Sequence, residues 1–147
     1  MKIAIIKIVG SIDASKDEKR TLDLLRLRKK NVCVLVDKKP EILGMIEKIK
    51  RYVCAGEIDN DVFKLLIEKR GKSAGKNMPI NISSDKIIDW INKFREGKAK
   101  FEDLGIKPFF RLHPPIGGFR KSMKVFWPTG VLGWQGKEIN VLIKRMI

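Results

Sequence analysis

The side chains with the clearest chemical potential in this sequence are cations, and they are concentrated in two stretches. Four of the five residues from 26 to 30 are positively charged, namely Arg26, Arg28, Lys29 and Lys30. The second stretch, residues 105–136, contains five Lys or Arg residues and no acidic residue. Clustered ammonium and guanidinium groups bind phosphate oxygens through charge-assisted hydrogen bonds. The whole chain has 32 Lys and Arg against 17 Asp and Glu, and its net charge of +15 predicts a polyanionic partner.

The basic group at residues 26–30 follows a predicted helix and precedes a predicted strand. A tight turn between these elements would present several cations to one partner. Part of the group has a second explanation, because positive charge near a helix C-terminus complements the helix dipole.

The second stretch combines cations with prolines, glycines and aromatic residues. Prolines hold an extended backbone, and Gly117 and Gly118 let the main chain approach a phosphate. The side chains that we expect to contact RNA are Arg111, Arg120 and Lys121, with Phe119 as a base-stacking residue. Phe126, Trp127 and Trp134 add stacking surfaces, although the two tryptophans would alternatively fold this segment back onto the protein.

Residue types that support catalysis or metal binding are sparse. His113 is the single histidine, and its neighbours offer no carboxylate that would orient it as a base. Asp59 and Asp61 are explained as caps at a helix start. Cys33 and Cys54 lie in apolar runs without zinc-site spacing, which predicts reduced core residues. We expect no catalytic residue, no metal, no cofactor and no small-molecule substrate.

Hydrophobic patterns predict alternating strands and helices in the first part of the chain. Lys2–Val9 and Asn31–Val36 are rich in β-branched and aliphatic residues, as in buried strands. Ser15 and Glu18 have the spacing of a capping box, which predicts a helix from there to about Leu27. A second helix is predicted from Pro40 to Gly56, and its inward-facing residues are Leu43, Ile46, Ile49 and Val53.

The remaining residues predict two short helices, at Val62–Ile67 and through Ile87–Phe94, separated by a loop from Lys72 to Ser83. Phe109–Leu112 is strand-like, and the segment from there to Gly136 is predicted to be a long irregular loop with a functional role. A closing amphipathic helix contains Ile139, Leu142, Ile143 and Met146. The sequence has no apolar run long enough for a membrane span and begins with a strand-like pattern, so we expect a cytosolic protein.

Several segments together resemble the large-subunit ribosomal protein thirty family, in its archaeal form; the eukaryotic counterpart is called large-subunit protein seven. The resemblance extends over essentially all 147 residues and is carried by KIAIIKIVGS, TLDLLRLRKKNVCVLVD, KPEILGMIEKIKRYV, GEID and KPFFRLHPPIGGFR.

The resemblance implies an α+β fold, with a small strand-helix-strand-helix-strand core, a three-stranded antiparallel sheet and two helices on one face of that sheet. The third strand would be Lys107–Leu112. One domain, residues 1–147, would then consist of a core at 1–56 and 105–113, a helical insertion at 57–104, and an RNA-binding loop with a closing helix at 114–147.

The resemblance also implies the function, that of a non-catalytic structural constituent of the large ribosomal subunit in the cytoplasm. Its partners would be the large-subunit ribosomal RNA, neighbouring ribosomal proteins and, as a further candidate, the small ribosomal RNA of the same subunit. The RNA-contacting residues by position are Arg26, Arg28, Lys29, Lys30, Asn31, Arg111, His113, Gly117, Gly118, Phe119 and Arg120, to which the charge argument adds Lys121. Two rivals remain, an RNA-modifying or nucleolytic enzyme and a regulatory RNA or DNA binder outside the ribosome.

Overall fold

A computed structural model describes residues 2–75, 78 and 80–147, which form an α+β fold. Its strands are β1 (Lys2–Lys7), β2 (Val32–Asp37), β3 (Val53–Glu57), β4 (Phe110–Arg111), β5 (Ser122–Phe126) and β6 (Gly130–Gly136). Its helices are α1 (Lys16–Leu24), α2 (Pro40–Ile49), α3 (Asn60–Arg70), α4 (Ser84–Arg95) and α5 (Ile139–Met146), with a 3-10 turn at Phe101–Leu104. The strands form one sheet in the order β4-β2-β1-β3-β6-β5. None of the helices in the described ranges is long and apolar enough to cross a bilayer.

Strand β1 is the centre of the sheet and is buried on both faces. It pairs antiparallel with β2 and with β3, so that Ile5 lies opposite Val34 on one side and Ala55 on the other. Because successive side chains of a strand point to opposite faces, Ile3 and Ile5 join one apolar cluster while Ala4 and Ile6 join the other. This two-sided burial explains why the strand is apolar from Ile3 to Ile6 instead of alternating, with a lysine at each end.

Helices cover both faces of the sheet. The cluster around Ile3 and Ile5 includes Leu22 of α1 and Ile46 of α2, so these two helices share one face. The cluster around Ala4 and Ile6 includes residues of α3, α4 and α5. On that face Phe63, Trp90, Phe94, Phe101 and Phe110 form a continuous aromatic chain, with centroid separations from 4.7 to 6.1 Å.

Several local predictions are confirmed. The Ser15 hydroxyl accepts the Glu18 N–H, the Glu18 carboxylate accepts the Ser15 N–H, and Tyr52 donates its hydroxyl to the same carboxylate. The Ser15 backbone bond, followed by the Tyr52 bond, lowers the pKa of Glu18. The closing helix is present, and Cys33 and Cys54 are free and fully buried. The predicted Lys72–Ser83 loop includes residues 76, 77 and 79, which lie outside the described residues.

The predicted three-stranded sheet with its third strand at Lys107–Leu112 is wrong. The described sheet has six strands, and only Phe110–Arg111 of that segment pairs, at the outer edge of β2. The third strand along the chain is instead Val53–Glu57, which the sequence pattern assigned to the end of the second helix. A short apolar run fits a helix or a strand equally well, and here the helix ends at Ile49. Leu43, predicted to face inward, is exposed.

The predicted irregular loop up to Gly136 is also wrong in its second half. Residues from Ser122 to Gly136 contain β5 and β6, and β6 pairs in parallel with β3. Val131 and Leu132 are buried there, but three glycines, Gly130, Gly133 and Gly136, interrupt the alternation that would identify a strand in the sequence. The candidates from His113 to Lys121 therefore lie on a shorter loop, which ends before Ser122.

Two glycines offer a direct test of the β3–β6 contact. A methyl group on Gly56 would lie 2.2 Å from the Gly136 carbonyl oxygen and 2.8 Å from Ile139 Cγ2, whereas one on Gly44 in α2 would meet nothing within 4 Å. We expect Gly56→Ala to lower the free energy of unfolding by about 2–3 kcal/mol through overpacking. Gly44→Ala should raise it by about 0.5–1 kcal/mol, because alanine favours a helix. Urea denaturation of both variants measures this, and an unchanged Gly56→Ala protein would contradict the close strand contact.

Candidate nucleic-acid interface

A tight C-terminal cap on α1 creates the basic turn, defined here as residues 26–31. The Arg26 N–H donates to the Asp23 carbonyl at 3.0 Å, and the Leu27 N–H donates to the Leu22 carbonyl at 2.9 Å. These are the two hydrogen bonds of a Schellman motif, and Leu22 and Leu27 pack in the same apolar cluster, as this motif commonly shows. The chain therefore leaves the helix abruptly, and Arg26, Arg28, Lys29 and Lys30 are all exposed.

A buried lysine holds the basic turn from beneath. Lys7, at the end of β1, is 2% exposed, and its ammonium group donates to the Arg28 carbonyl and to the Ser11 hydroxyl, each at 3.2 Å. The Asn31 N–H in turn donates to the Lys7 carbonyl at 2.8 Å. Burial lowers the pKa of Lys7, Asp23 acts in the opposite sense, and Lys30 lowers it further. Sequence reasoning missed this residue, although an isolated charge inside an apolar strand was the available signal.

Arg111 is brought to the basic turn by strand pairing. Val32 and Arg111 are partners in the β2–β4 ladder, and the Leu112 N–H donates to the Asn31 carbonyl at 2.9 Å. A groove of about 470 Å³ lies between the two segments. Its cations are Arg26, Arg28, Lys29 and Arg111, and its other lining residues are Val32, Pro108 and Phe109. Residues from both basic stretches thus line one groove.

The loop after Leu112, residues 113–121, is fastened to the C-terminal helix. The His113 N–H donates to the Met146 carbonyl, and the Ile116 N–H donates to the Arg145 carbonyl, both at 3.0 Å. The Arg145 guanidinium donates to the carbonyl oxygens of Ile116 and Gly118. His113, Gly117 and Gly118 are exposed, and both glycines have left-handed backbones, with φ of 77° and 74°. Arg145 has a clear part in shaping this loop, and no sequence motif indicated it.

The end of this loop lies apart from the groove. Phe119, Arg120 and Lys121 line a smaller hollow of about 200 Å³ together with Trp127 and residues of β6 and α5. Phe119 is half-buried against the core, and the Lys121 ammonium group lies 3.8 Å from the centroid of the Trp127 ring while donating to the Pro128 carbonyl. Trp127 thus helps to fold the segment onto itself, whereas Trp134 is 40% exposed.

Side-chain clusters for other chemistry are not found among the residues that the structure describes. No group of three or more His, Cys, Asp or Glu residues in that part of the chain is arranged to hold a metal ion. Burial raises the pKa of the Cys54 thiol to about 12 and raises that of Cys33 as well, so neither forms a nucleophilic thiolate at neutral pH. The exposed chemistry of the basic turn and of the 113–121 loop is that of cations and main-chain groups.

Comparison with known proteins identifies the family. A family model for ribosomal protein L30p/L7e matches residues 3–53. The large ribosomal subunit protein uL30 of Methanopyrus kandleri is 37% identical over 148 residues, which cover 94% of this chain and 99% of that protein. The uL30 proteins of Nanoarchaeum equitans and Staphylothermus marinus are each 40% identical, with 98% of this chain and 97% of each relative covered. The chain belongs to the uL30 family of ribosomal proteins.

Membership of the uL30 family confirms the resemblance seen in the sequence and establishes a structural, non-enzymatic protein. The family model ends at Val53, but the relatives align over nearly the whole chain, including the basic turn and the 113–121 loop. The roles of the individual cations remain predictions.

Backbone strain coincides with these predicted contacts. Within the described ranges, the residues other than glycine with positive φ are Arg26 at 61°, Asn31 at 61° and Arg120 at 59°. Asparagine tolerates this conformation, but the left-handed region costs most other residues roughly 1–2 kcal/mol. Glycine usually occupies the position that Arg26 takes in the Schellman motif. A cation kept at a strained position suggests a use for the side chain outside the fold.

We expect Arg26→Gly to raise the free energy of unfolding by about 0.5–1 kcal/mol, since relief of strain exceeds the added freedom of the unfolded chain. Arg28→Gly is the matched control, because it removes the same charge at a residue without positive φ and should lower stability by about 0.5–1 kcal/mol. Urea denaturation measures both. Equal effects of the two substitutions would argue against strain at Arg26.

Proposed function

We propose that this uL30-family chain is a structural constituent of the large subunit of the cytoplasmic ribosome, and that it binds ribosomal RNA through the basic turn and the 113–121 loop. The main partner is the large-subunit ribosomal RNA. The small ribosomal RNA of the same subunit is a further candidate, and neighbouring ribosomal proteins complete the environment. The observation that carries this proposal is the convergence of Arg26, Arg28, Lys29 and Arg111 on one groove.

The cations of the basic turn are available to an external anion. Arg28 Nε lies 3.7 Å from Asp23 Oδ1, but both side chains are largely exposed, and such a pair is weak and screened by salt. The Lys7 ammonium group already donates a hydrogen bond to the Arg28 carbonyl from inside the fold, so that carbonyl does not require a partner among the exposed cations. Phosphate oxygens at this surface would gain charge-assisted hydrogen bonds that the isolated protein lacks.

The 113–121 loop supports the same function by a different route. Arg145 donates to the carbonyl groups of Ile116 and Gly118, and the exposed backbone of Gly117 and Gly118 lies close to Arg120 in the chain. Glycine lacks a side chain that would keep a phosphate at a distance. Contacts of this kind position a protein on folded RNA by shape and charge, without reading a base sequence.

Neutralisation of phosphates by several cations makes binding strongly dependent on salt, because each contact releases condensed counterions. The triple substitution of Arg28, Lys29 and Lys30 by Gln should reduce the slope of log K against log salt by about 3. The matched control substitutes Lys69, Lys86 and Lys93 by Gln, since these exposed lysines of α3 and α4 give the same charge change elsewhere. Filter binding to large-subunit ribosomal RNA across a salt series measures both slopes, and equal reductions would contradict a dedicated basic turn.

Association with ribosomes separates the proposal from a regulatory role elsewhere. The wild-type chain, labelled and expressed in an archaeal host, should sediment with large subunits in high-salt sucrose gradients. The triple variant of the basic turn should shift toward the top of the gradient, and the control variant should not. A wild-type chain that sediments only with free RNA would favour a regulator instead.

A further inference from the structure

The groove between the basic turn and β4 has a composition that phosphate binding alone does not require. Its volume of about 470 Å³ lies within the range of sites that enclose small molecules. Four cations occur together with Val32, Pro108 and Phe109. A surface that contacts only the backbone of an RNA helix requires the cations, but it does not require an aromatic ring in the same groove.

Phe109 is accessible from two sides. It is half-buried against the apolar cluster of α1 and α2, and it lines both this groove and an adjoining hollow of about 720 Å³, which lies along the part of β2 that β4 does not cover, residues 34–37. The two cavities also share Arg26 and Pro108. The Arg111 guanidinium carbon lies 5.9 Å from the centroid of the Phe109 ring, so a planar cation and a planar ring are neighbours in the groove.

We propose that this groove receives one unstacked nucleotide of RNA, with its base against Phe109 and its phosphates held by Arg26, Arg28 and Arg111. The inference rests on the proposed function and adds the kind of RNA element that the site recognises. Bases that project from loops and bulges stack on aromatic rings and guanidinium planes, whereas the bases of a regular helix have no free face to offer. The combination of a polyanionic backbone and a flat apolar base matches the combination of cations and ring.

The groove favours a nucleotide over an acidic peptide. Carboxylates would engage the guanidinium groups, but they would leave the Phe109 face and the Pro108 surface uncovered. A base covers an aromatic face while its own phosphate remains within reach of cations at the rim.

The experiment compares a six-nucleotide oligoadenylate with an abasic oligomer of the same length and the same number of phosphates, each binding the full chain at fixed low salt. Fluorescence anisotropy should give at least about fivefold tighter binding of the oligoadenylate, the lower end of what base stacking on an aromatic ring supplies. Phe109→Leu should reduce this ratio to nearly one while leaving the affinity for the abasic oligomer unchanged. Phe109→Trp should preserve the ratio.

Phe126→Leu is the comparison variant, because Phe126 is the rival stacking surface that the sequence offered and is 41% exposed on β5, at the opposite edge of the sheet from β4. It should retain the wild-type ratio, and thermal unfolding of each variant monitors folding. A wild-type ratio near one, a ratio that survives in Phe109→Leu, or a ratio abolished by Phe126→Leu would each overturn the groove proposal.

Failure of this inference is distinguishable from failure of the proposed function. If the ratio is near one but the wild-type chain still sediments with large subunits, the ribosomal role stands without a nucleotide pocket. If the chain neither binds RNA in a salt-dependent way nor sediments with subunits, both ideas fall together.

Discussion

Burial of β1 on both faces and along both edges is the constraint on which the rest of the structure depends. Ile3 and Ile5 close the cluster beneath α1 and α2, and Ala4 and Ile6 close the cluster beneath the other helices. The strand ends at Lys7, whose main chain and side chain hold Asn31 and Arg28. The position of the basic turn is therefore fixed by the same strand that organises the core. A surface loop that carries several cations would otherwise be free to spread them apart.

The basic turn holds several cations close together, which is electrostatically unfavourable. Neighbouring cations repel one another, and a net charge of +15 adds to the cost of keeping the chain compact. Two apolar clusters and the aromatic chain from Phe63 to Phe110 supply the opposing stabilisation. The stabilising residues and the charged residues therefore lie in different places. Apolar packing stabilises the sheet, whereas the cations lie on its exposed edge and on the loops.

The sequence allowed prediction of the elements whose signals are local. The capping box at Ser15, the proline at the start of α2 and the helical spacing from Ile139 to Met146 depend on neighbours in the chain, and the structure has them in place. The assignment of Val53–Glu57 failed because only pairing with β1, at a distance of about fifty residues, distinguishes this strand from a helix end. Strand β6 was not predicted, for a related reason. Its glycines remove the apolar alternation, and the reason for one of them, the approach of Gly136 to Gly56, exists only in three dimensions.

For the site, charge clustering identified the basic turn, whereas Lys7 and Arg145 act through contacts that no spacing rule predicts.

The strained residues and the clustered charges are costs to the isolated protein that a polyanion would offset. Arg26 and Arg120 take backbone conformations that glycine would adopt without penalty, and the cations beside Arg26 repel it. A bound phosphate backbone removes the repulsion and engages the side chains that the strain keeps in place. Any ligand that binds only the folded state stabilises that state by mass action. A polyanion bound at the basic turn would therefore add to the stability that the chain's own contacts supply. Repulsion among the cations of the basic turn is the cost that such binding would relieve most directly.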